Sequence, residues 1–193
     1  MTQTQPPNWP DFDLDHGTIK THDGRTLETR LINVEDADHL VDFVRSLSPE
    51  SRRRRFHQSI EHLSKKMIHD RAHDLADVDN YTQGGAVLAL IQESDGTPHI
   101  IAVARLARVP GKPHDPQAEA AIVVRDDYQG QGVGTQLVRR LVVLARQMKV
   151  KEIIAYFESD NTVAIHLFRN LGLPSTLEIS YGETTMLIEM PWQ

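Results

Sequence analysis

Hydrophobic and polar positions divide the chain into a helical first part and a later part dominated by strands. After a turn signal at Asp23-Gly24, the alternation in "TLETRL" predicts a strand. "NVEDADHLVDFVRSL" has acidic residues in its first turn and apolar residues at helical spacing, so it predicts a helix capped by Asn33. The arginine- and histidine-rich stretch over 48–75 predicts more helix, with weak periodicity.

From Gly85 onwards, short apolar runs alternate with turn residues. "AVLALIQE" and "HIIAVARLARV" flank the turn at 94–97 and predict a hairpin, and "QAEAAIVV" predicts a third strand. An amphipathic helix precedes the strand "KEIIAYF", and a second helix follows it over 160–171, where Gly172 is placed to end it. Two final strands meet at Tyr181-Gly182.

This order of elements predicts a mixed α/β fold. The strand–helix–strand unit over 118–157 requires a parallel strand pair with a right-handed crossover, whereas the other neighbours are typical of antiparallel meanders. We therefore expect a mostly antiparallel sheet with helices on both faces. Residues 1–17, rich in Pro, Asp and Gln, predict a flexible N-terminal arm, and 18–193 a single domain.

Composition excludes several classes of chemistry. The 193 residues contain no cysteine, which rules out disulfides, cysteine nucleophiles and thiolate metal sites. No apolar run approaches the length of about 18 residues that spans a bilayer. The N-terminus also lacks the basic start and apolar core of a secretory signal, so we expect a cytoplasmic protein without a membrane partner.

The charges favour a cationic partner and give no support to nucleic-acid or metal binding. The net charge of −6 disfavours nucleic acid and suits a cationic acceptor. The run Arg52–Arg55 is expected to form a solvated helix face or intramolecular ion pairs. His69 and His73 share one helical face beside acidic residues and could ligate zinc. No H-E-x-x-H signature accompanies them, so we expect no metal.

Three glycines stand at every second position where a helix should begin, in "QGQGVGT". A helix N-terminus exposes unpaired N–H groups and carries partial positive charge, and glycine leaves the approach to it open. The segment therefore predicts a pyrophosphate cradle, with a glycine-rich strand-to-helix turn that binds no ligand as the alternative. Neither the dinucleotide fingerprint nor the Walker loop matches this spacing.

The segment Gln129–Gly134 resembles the acyl-CoA loop, [Q/R]-x-x-G-x-[G/A], of the GNAT acetyltransferase superfamily. The resemblance implies a sheet whose central parallel pair is splayed, and acetyl-CoA as cosubstrate without a metal. It also implies that loop amides hold the pyrophosphate, that the preceding strand bonds the pantetheine, and that an Asn opening the next helix contacts CoA. The residues that match these roles are Ile122, Val123, Val124, Gln129, Gly130, Gln131, Gly132, Val133, Gly134, Thr135 and Asn161.

A narrower resemblance extends to about residues 25–173. "SLSPESRRRRFHQ" and "AEAAIVVRDDYQGQGVG" are similar to the catalytic domain of bacterial protein lysine acetyltransferases of the Pat type. This implies a protein with an exposed lysine, such as acetyl-CoA synthetase, as the acceptor.

Acetyl transfer to an amine requires an uncharged nitrogen, whereas lysine has a pKa of about 10.4, so a general base is needed. Glu119 is the candidate, since alanines and aliphatic residues around it suggest partial burial, which makes a carboxylate more basic. In Pat-type enzymes the base stands five residues before the last strand valine, which is the place of Glu119 before Val124. The alternative is an ordinary outward-facing strand glutamate.

Many GNAT enzymes protonate the leaving CoA thiolate with a Tyr in the helix that carries the Asn. Phe168 occupies that place and has no proton to give, so the source of the proton stays open.

Three functions follow from these residues. The first is direct acetyl transfer from acetyl-CoA to a protein lysine, with Glu119 as base and no covalent enzyme intermediate. The second keeps the fold but takes a small amine such as a polyamine, amino acid or aminoglycoside. The third is a sensor that binds acetyl-CoA without turnover.

Overall fold

The computed structural model describes residues 11–56, 64–93, 96–112 and 114–192, and within them one sheet of eight strands carries five helices. The strands follow the spatial order β1-β2-β3-β4-β5-β6-β8-β7. They are β1 (Gly17–Lys20), β2 (Thr26–Leu31), β3 (Gly84–Gln92), β4 (Pro98–Ala107), β5 (Gln117–Val124), β6 (Glu152–Glu158), β7 (Ser175–Ser180) and β8 (Glu183–Glu189). The helices are α1 (Ala37–Ser46), α2 (Pro49–Phe56), α3 (Lys65–Ala76), α4 (Val133–Gln147) and α5 (Thr162–Arg169).

The predicted topology is confirmed. Within this sheet only β5 and β6 run parallel, and α4 connects them, while the other described neighbours are antiparallel. Strand β1 was not predicted, because "GTIK" is too short to display an alternating pattern. It pairs with β2 across the predicted turn, where Gly24 has a φ of 91°. Part of the turn predicted at 94–97 lies outside the described residues.

Asn33 caps the first helical segment as predicted. Its side-chain oxygen accepts from the Glu35 amide, and Oδ2 of Asp36 accepts from the Asn33 amide in return. This is a capping box, and the turn it opens is a 3-10 turn that leads into α1. Arg30 adds a two-pronged ion pair to the buried carboxylate of Asp36, which ties this turn to β2.

Two apolar layers cover the two faces of the sheet. One contains α4 and α5 with residues such as Leu137 and Phe168, and the other contains α1 and α3 with residues such as Phe43 and Ala72. Neighbouring strand residues point to opposite faces, so β5 contributes to both layers. Ile122 and Val124 pack in the α4 layer, and the side chain between them packs in the α1–α3 layer. These layers confirm the prediction of helices on both faces.

Part of the predicted N-terminal arm packs on the domain. Leu14 is buried in the core of the α4 layer and Phe12 packs against it. The guanidinium of Arg140 lies 4.4 Å from the Phe12 ring centroid and donates to the carbonyl of Thr18 at 2.8 Å. Residues 1–10 lie outside the described part of the chain.

Candidate active site

Strands β5 and β6 separate in the middle of the sheet. Their parallel pairing runs from Gln117 opposite Glu152 to Glu119 opposite Ile154. Beyond that point β5 continues along β4 as far as Val124, while β6 stays paired with β8. The two strands therefore diverge into a V-shaped gap, and Glu119 stands at its apex.

The backbone of β5 presents polar groups to this gap at alternate residues. The amide of Arg125 donates to the carbonyl of Ile101 at 2.8 Å, which fixes the alternation of the antiparallel β4–β5 ladder. The N–H and C=O of Val123 consequently face β4, whereas those of Ile122 and Val124 face the gap. The carbonyl of Val124 accepts from the Gln129 side chain at 3.0 Å. Of the three residues expected to bond pantetheine, Ile122 and Val124 have the required orientation.

The glycine-rich loop leads from β5 into α4 with the backbone shape of an anion site. Gly130 and Gly132 have φ angles of 70° and 80°, a region that favours glycine. Gly132 is the N-cap of α4 and supplies no side-chain cap, and the amide of Gln136 is the donor to its carbonyl, at 3.2 Å. The amides before Gln136 belong to Val133, Gly134 and Thr135, and together they form the first turn that a helix leaves unpaired. This end of α4 fits a pyrophosphate group.

The β1–β2 turn holds the outside of the loop. The amide of His22 donates to the carbonyl of Gln131 at 3.2 Å, and its Nδ1 lies 3.2 Å from the carbonyl oxygen of Gly130. The amide of Asp23 donates to Oε1 of Gln131 at 3.1 Å. The φ angle of Gly132 favours glycine, and a Cβ there would lie 2.8 Å from Nε2 of His22, so any other residue would also have to displace the His22 ring. Sequence patterns gave no signal for this contact between distant segments.

Helix α2 begins against the end of β5. Oδ2 of Asp126 accepts from the Ser48 amide at 2.8 Å. Oδ1 accepts from the hydroxyls of Ser48 and Ser51 at 2.7 and 2.8 Å. The amide group of Gln129 also donates to the Ser51 hydroxyl at 3.2 Å. The motif "SPES" thus fixes the start of α2 to the segment that leads into the glycine-rich loop.

The second half of α2 reaches the end of β6. Arg53 forms an ion pair with Glu158, the last residue of β6, and Arg54 lies 4.0 Å from Asp160. Helix α2 therefore bridges the two strands at the open end of the gap. These contacts confirm that the arginine run forms intramolecular ion pairs. They also place the run at the open end of the gap, which the sequence pattern did not predict.

Arg55, the last arginine of the run, lies near Glu119. Burial lowers the pKa of Arg55, and the negative charge of Glu119 opposes that shift. Burial also lowers the pKa of Arg105, and the positive charge of Arg55 adds to it. Nη1 of Arg105 donates to the Leu75 carbonyl at the end of α3, at 2.7 Å. Glu119 itself is exposed, contrary to the partial burial expected from its alanine neighbours, because Ala118 and Ala120 point to the opposite face of the sheet and are buried in the α4 layer.

A cavity of about 370 Å³ lies between this helical layer and the sheet. Its floor is formed by Val103 of β4 and Val123 of β5, which are cross-strand partners on the same face as Glu119. Its walls are mostly apolar side chains of α1 and α3, with Arg55 and Phe56 at the end of α2. We call it the α1–α3 cavity; its further lining residues are Leu40, Val41, Phe43, Val44, Ile68, Arg71, Ala72, Asp74 and Leu75.

Asn161 and Phe168, the two residues that the sequence associates with CoA beyond the glycine-rich loop, both contact other residues of the fold. The side-chain oxygen of Asn161 accepts from the Ala164 amide at 3.3 Å and caps α5, so the amide nitrogen of the side chain is the group left for a ligand. Phe168 is buried, with its ring centroid 5.5 Å from that of Phe157. Its position is that of a core residue.

No cluster of three metal-ligating side chains occurs in the described ranges. His69 pairs instead with Asp38 across α1 and α3, with Nε2 3.2 Å from the carboxylate. Among the helices that the structure describes, none is long and apolar enough to cross a membrane.

Comparison with known proteins agrees with this architecture. The chain is 30% identical to an acetyltransferase of Pseudomonas aeruginosa over 158 residues, which cover 82% of this chain and 80% of that protein. A shorter segment of 54 residues is 41% identical to an L-methionine sulfoximine/L-methionine sulfone acetyltransferase of the same species, and covers 28% of this chain and 31% of that protein.

Among solved structures, the GNAT domain of Pat from S. lividans superposes with a TM-score of 0.75 at 26% identity, covering 96% of this chain and 99% of that domain. The sequence model of the acetyltransferase (GNAT) family matches residues 42–173. The chain therefore belongs to the GNAT family and is an acetyl-CoA-dependent N-acetyltransferase.

Proposed function

We propose that this enzyme transfers the acetyl group of acetyl-CoA directly to a primary amine, with Glu119 as the general base. The observation that carries the proposal is the position of Glu119 at the apex of the gap between β5 and β6. A carboxylate there stands where a thioester entering the gap would end. Its exposure also leaves it accessible to an amine or to one intervening water molecule.

The binding mode proposed for acetyl-CoA uses the backbone groups already described. The pyrophosphate binds the first-turn amides of α4, and the pantetheine bonds the groups of Ile122 and Val124 that face the gap. The side-chain nitrogen of Asn161 is the remaining candidate contact. The uncapped helix end and the two left-handed glycines support this arrangement, because anions bind there without obstruction.

Glu119 accepts a proton from the amine, and the free nitrogen attacks the thioester carbonyl carbon. A backbone N–H that faces the gap donates to the carbonyl oxygen as negative charge develops on it. The C–N bond forms, the C–S bond breaks and the CoA thiolate leaves, and the nitrogen gives up its second proton to water to become the neutral amide. Solvent supplies its proton in this scheme, since Phe168 has none and a thiol pKa of about 8.5 makes the anion a tolerable leaving group.

Two acceptor classes remain in competition. Likeness to the GNAT domain of S. lividans Pat supports a protein lysine, with acetyl-CoA synthetase as a candidate substrate. The α1–α3 cavity favours a small amine, because about 370 Å³ is the size of a site for a compact molecule. A cytoplasmic location also stays a prediction.

The test is acetyl-CoA-dependent thiol release, measured against lysine-rich proteins that include acetyl-CoA synthetase and, in parallel, against polyamines, amino acids and aminoglycosides. Release with proteins alone supports the lysine acceptor. Release with small amines alone supports the second class. Bound acetyl-CoA without release in any mixture contradicts the proposed transfer.

A further inference from the structure

We propose that the acceptor is an α-amino acid with an apolar side chain, and that Arg55 binds its carboxylate. The inference rests on the proposed function, since it places the amine of this acceptor at Glu119. It narrows the acceptor from primary amines in general to those whose amine and carboxylate are attached to the same carbon.

Arg55 differs from the other three arginines of its run. Arg52 donates to the Leu47 carbonyl at 2.8 Å, Arg53 pairs with Glu158, and Arg54 pairs with Glu50 at 2.8 Å. In the part of the chain that the structure describes, Arg55 has no ion pair or hydrogen bond, and its ring contact is to Phe56 at 5.2 Å. The three neighbours hold α2 in place, and Arg55 is the arginine left for a ligand.

The environment of Arg55 favours the binding of an anion. Its side chain is partly buried and lines the α1–α3 cavity, where mostly apolar surfaces surround it. A second guanidinium, that of Arg105, lies close enough to act on its charge, and burial lowers the pKa of both groups. A partly desolvated cation without a paired anion is costly, so a bound carboxylate would recover part of that cost.

The charges beside Arg55 match the two charged groups of an amino acid. Glu119 is near enough to act on Arg55 electrostatically, and it lies on the same sheet face as Ala121 and Val123. A negative and a positive side chain on this side of the sheet thus interact electrostatically without forming an ion pair with each other. An α-amino acid presents an amine and a carboxylate one carbon apart, which is the complementary arrangement. The side-chain amine of a protein lysine has no such neighbouring carboxylate.

The α1–α3 cavity is the site proposed for the apolar side chain of such an acceptor. Its floor is formed by Val103 and Val123, and its volume of about 370 Å³ lies within the range of small-molecule sites. An apolar side chain entering it would be buried against aliphatic and aromatic groups. Arg71 and Asp74 are the other charged residues of its lining.

The test compares acceptors that differ only in the carboxylate: L-leucine, L-leucinamide and 3-methylbutylamine, with a lysine-containing peptide and protein in parallel. We expect kcat/KM for L-leucine to exceed that for 3-methylbutylamine by roughly 10- to 100-fold. The amine lacks the carboxylate that would pair with Arg55, and losing one partner of a partly buried charge pair has an effect of about this size. Arg55→Met should remove this preference by weakening L-leucine alone, and Arg55→Lys should retain part of it. The matched control is Arg45→Met, an exposed arginine on α1 that pairs with Asp42.

Equal use of leucine and its decarboxylated analogue by the unmodified enzyme would overturn the inference and leave the proposed function standing. An equal loss for both acceptors in Arg55→Met would also overturn it, because Arg55 would then act on Glu119 or on the fold. Absence of transfer to every amine, peptide and protein would instead contradict the proposed function itself.

Discussion

Glu119 and Ile154 form the last parallel pair between β5 and β6, and the sheet opens immediately beyond them. The same residue pair therefore marks the end of strand pairing and the beginning of the gap. Because α2 closes the open end through Asp126 on one side and Glu158 on the other, the gap is bounded at both ends.

Replacement of Gly132 by Ala should weaken acetyl-CoA binding. The substitution forces a non-glycine residue to a φ of 80° and brings a Cβ to 2.8 Å from Nε2 of His22, so the loop backbone is strained and the His22 ring that holds the loop is displaced. We expect a roughly tenfold rise in the Kd for acetyl-CoA, measured by calorimetry, because the first-turn amides lose their alignment.

Gly182→Ala is the matched control for that prediction. Gly182 has a φ of 86° in the β7–β8 turn, and nothing lies within 4 Å of its added Cβ. It should cost about 1 to 2 kcal/mol of stability through the same backbone strain and leave acetyl-CoA affinity unchanged. Equal affinities in the two variants would show that the loop does not hold the pyrophosphate.

Loss of the Arg53–Glu158 ion pair should weaken binding of the acceptor more than binding of acetyl-CoA. The pair connects α2 to the end of β6, so Arg53→Gln loosens the bridge over the gap while the glycine-rich loop keeps its own contacts. The arginine is half-exposed, and such pairs contribute no more than about 1 kcal/mol. We expect acceptor KM to rise by roughly three- to fivefold at constant acetyl-CoA Kd. An unchanged acceptor KM would mean that α2 has no part in acceptor binding.

Much of the fold could be predicted from the chain, because β5, α4 and the Tyr181-Gly182 turn carry strong local signals. Period-2 and period-3.6 patterns report which face of an element is buried, and β5 matches its predicted bounds. The exposure of Glu119 could not be predicted, since its neighbours Ala118 and Ala120 face the other side of the sheet and say nothing about what covers the glutamate. The contacts of His22 and Asp126 join segments far apart in sequence, and no local pattern encodes them.

The hydrogen bonds to Asp126 should make the free energy of unfolding depend on pH. Burial alone would raise the pKa of Asp126, but bonds from the Ser48 amide and the Ser48 and Ser51 hydroxyls outweigh it and lower the pKa below 3.8. A lowered folded-state pKa means that the carboxylate stabilises the fold at neutral pH. That contribution is lost as the pH falls through the folded-state value.

Asp126→Asn removes this titration and tests it. We expect the free energy of unfolding, measured in urea, to fall by no more than about 1 kcal/mol at pH 7, since the carboxylate is largely solvent-exposed. The difference between the two proteins should stay constant down to about pH 5 and shrink below about pH 4. A difference that grows on acidification would contradict the assigned direction.

The most direct test of the account is the turnover of Glu119→Gln beside that of Glu178→Gln, an exposed glutamate on the edge strand β7. With any amine that the unmodified enzyme acetylates, we predict that Glu119→Gln lowers kcat by roughly 10²- to 10⁴-fold, the contribution of a general base. Acetyl-CoA affinity should stay the same, and Glu178→Gln should behave as the unmodified enzyme does. Undiminished turnover in Glu119→Gln would show that the carboxylate at the apex of the gap does not remove the proton from the amine.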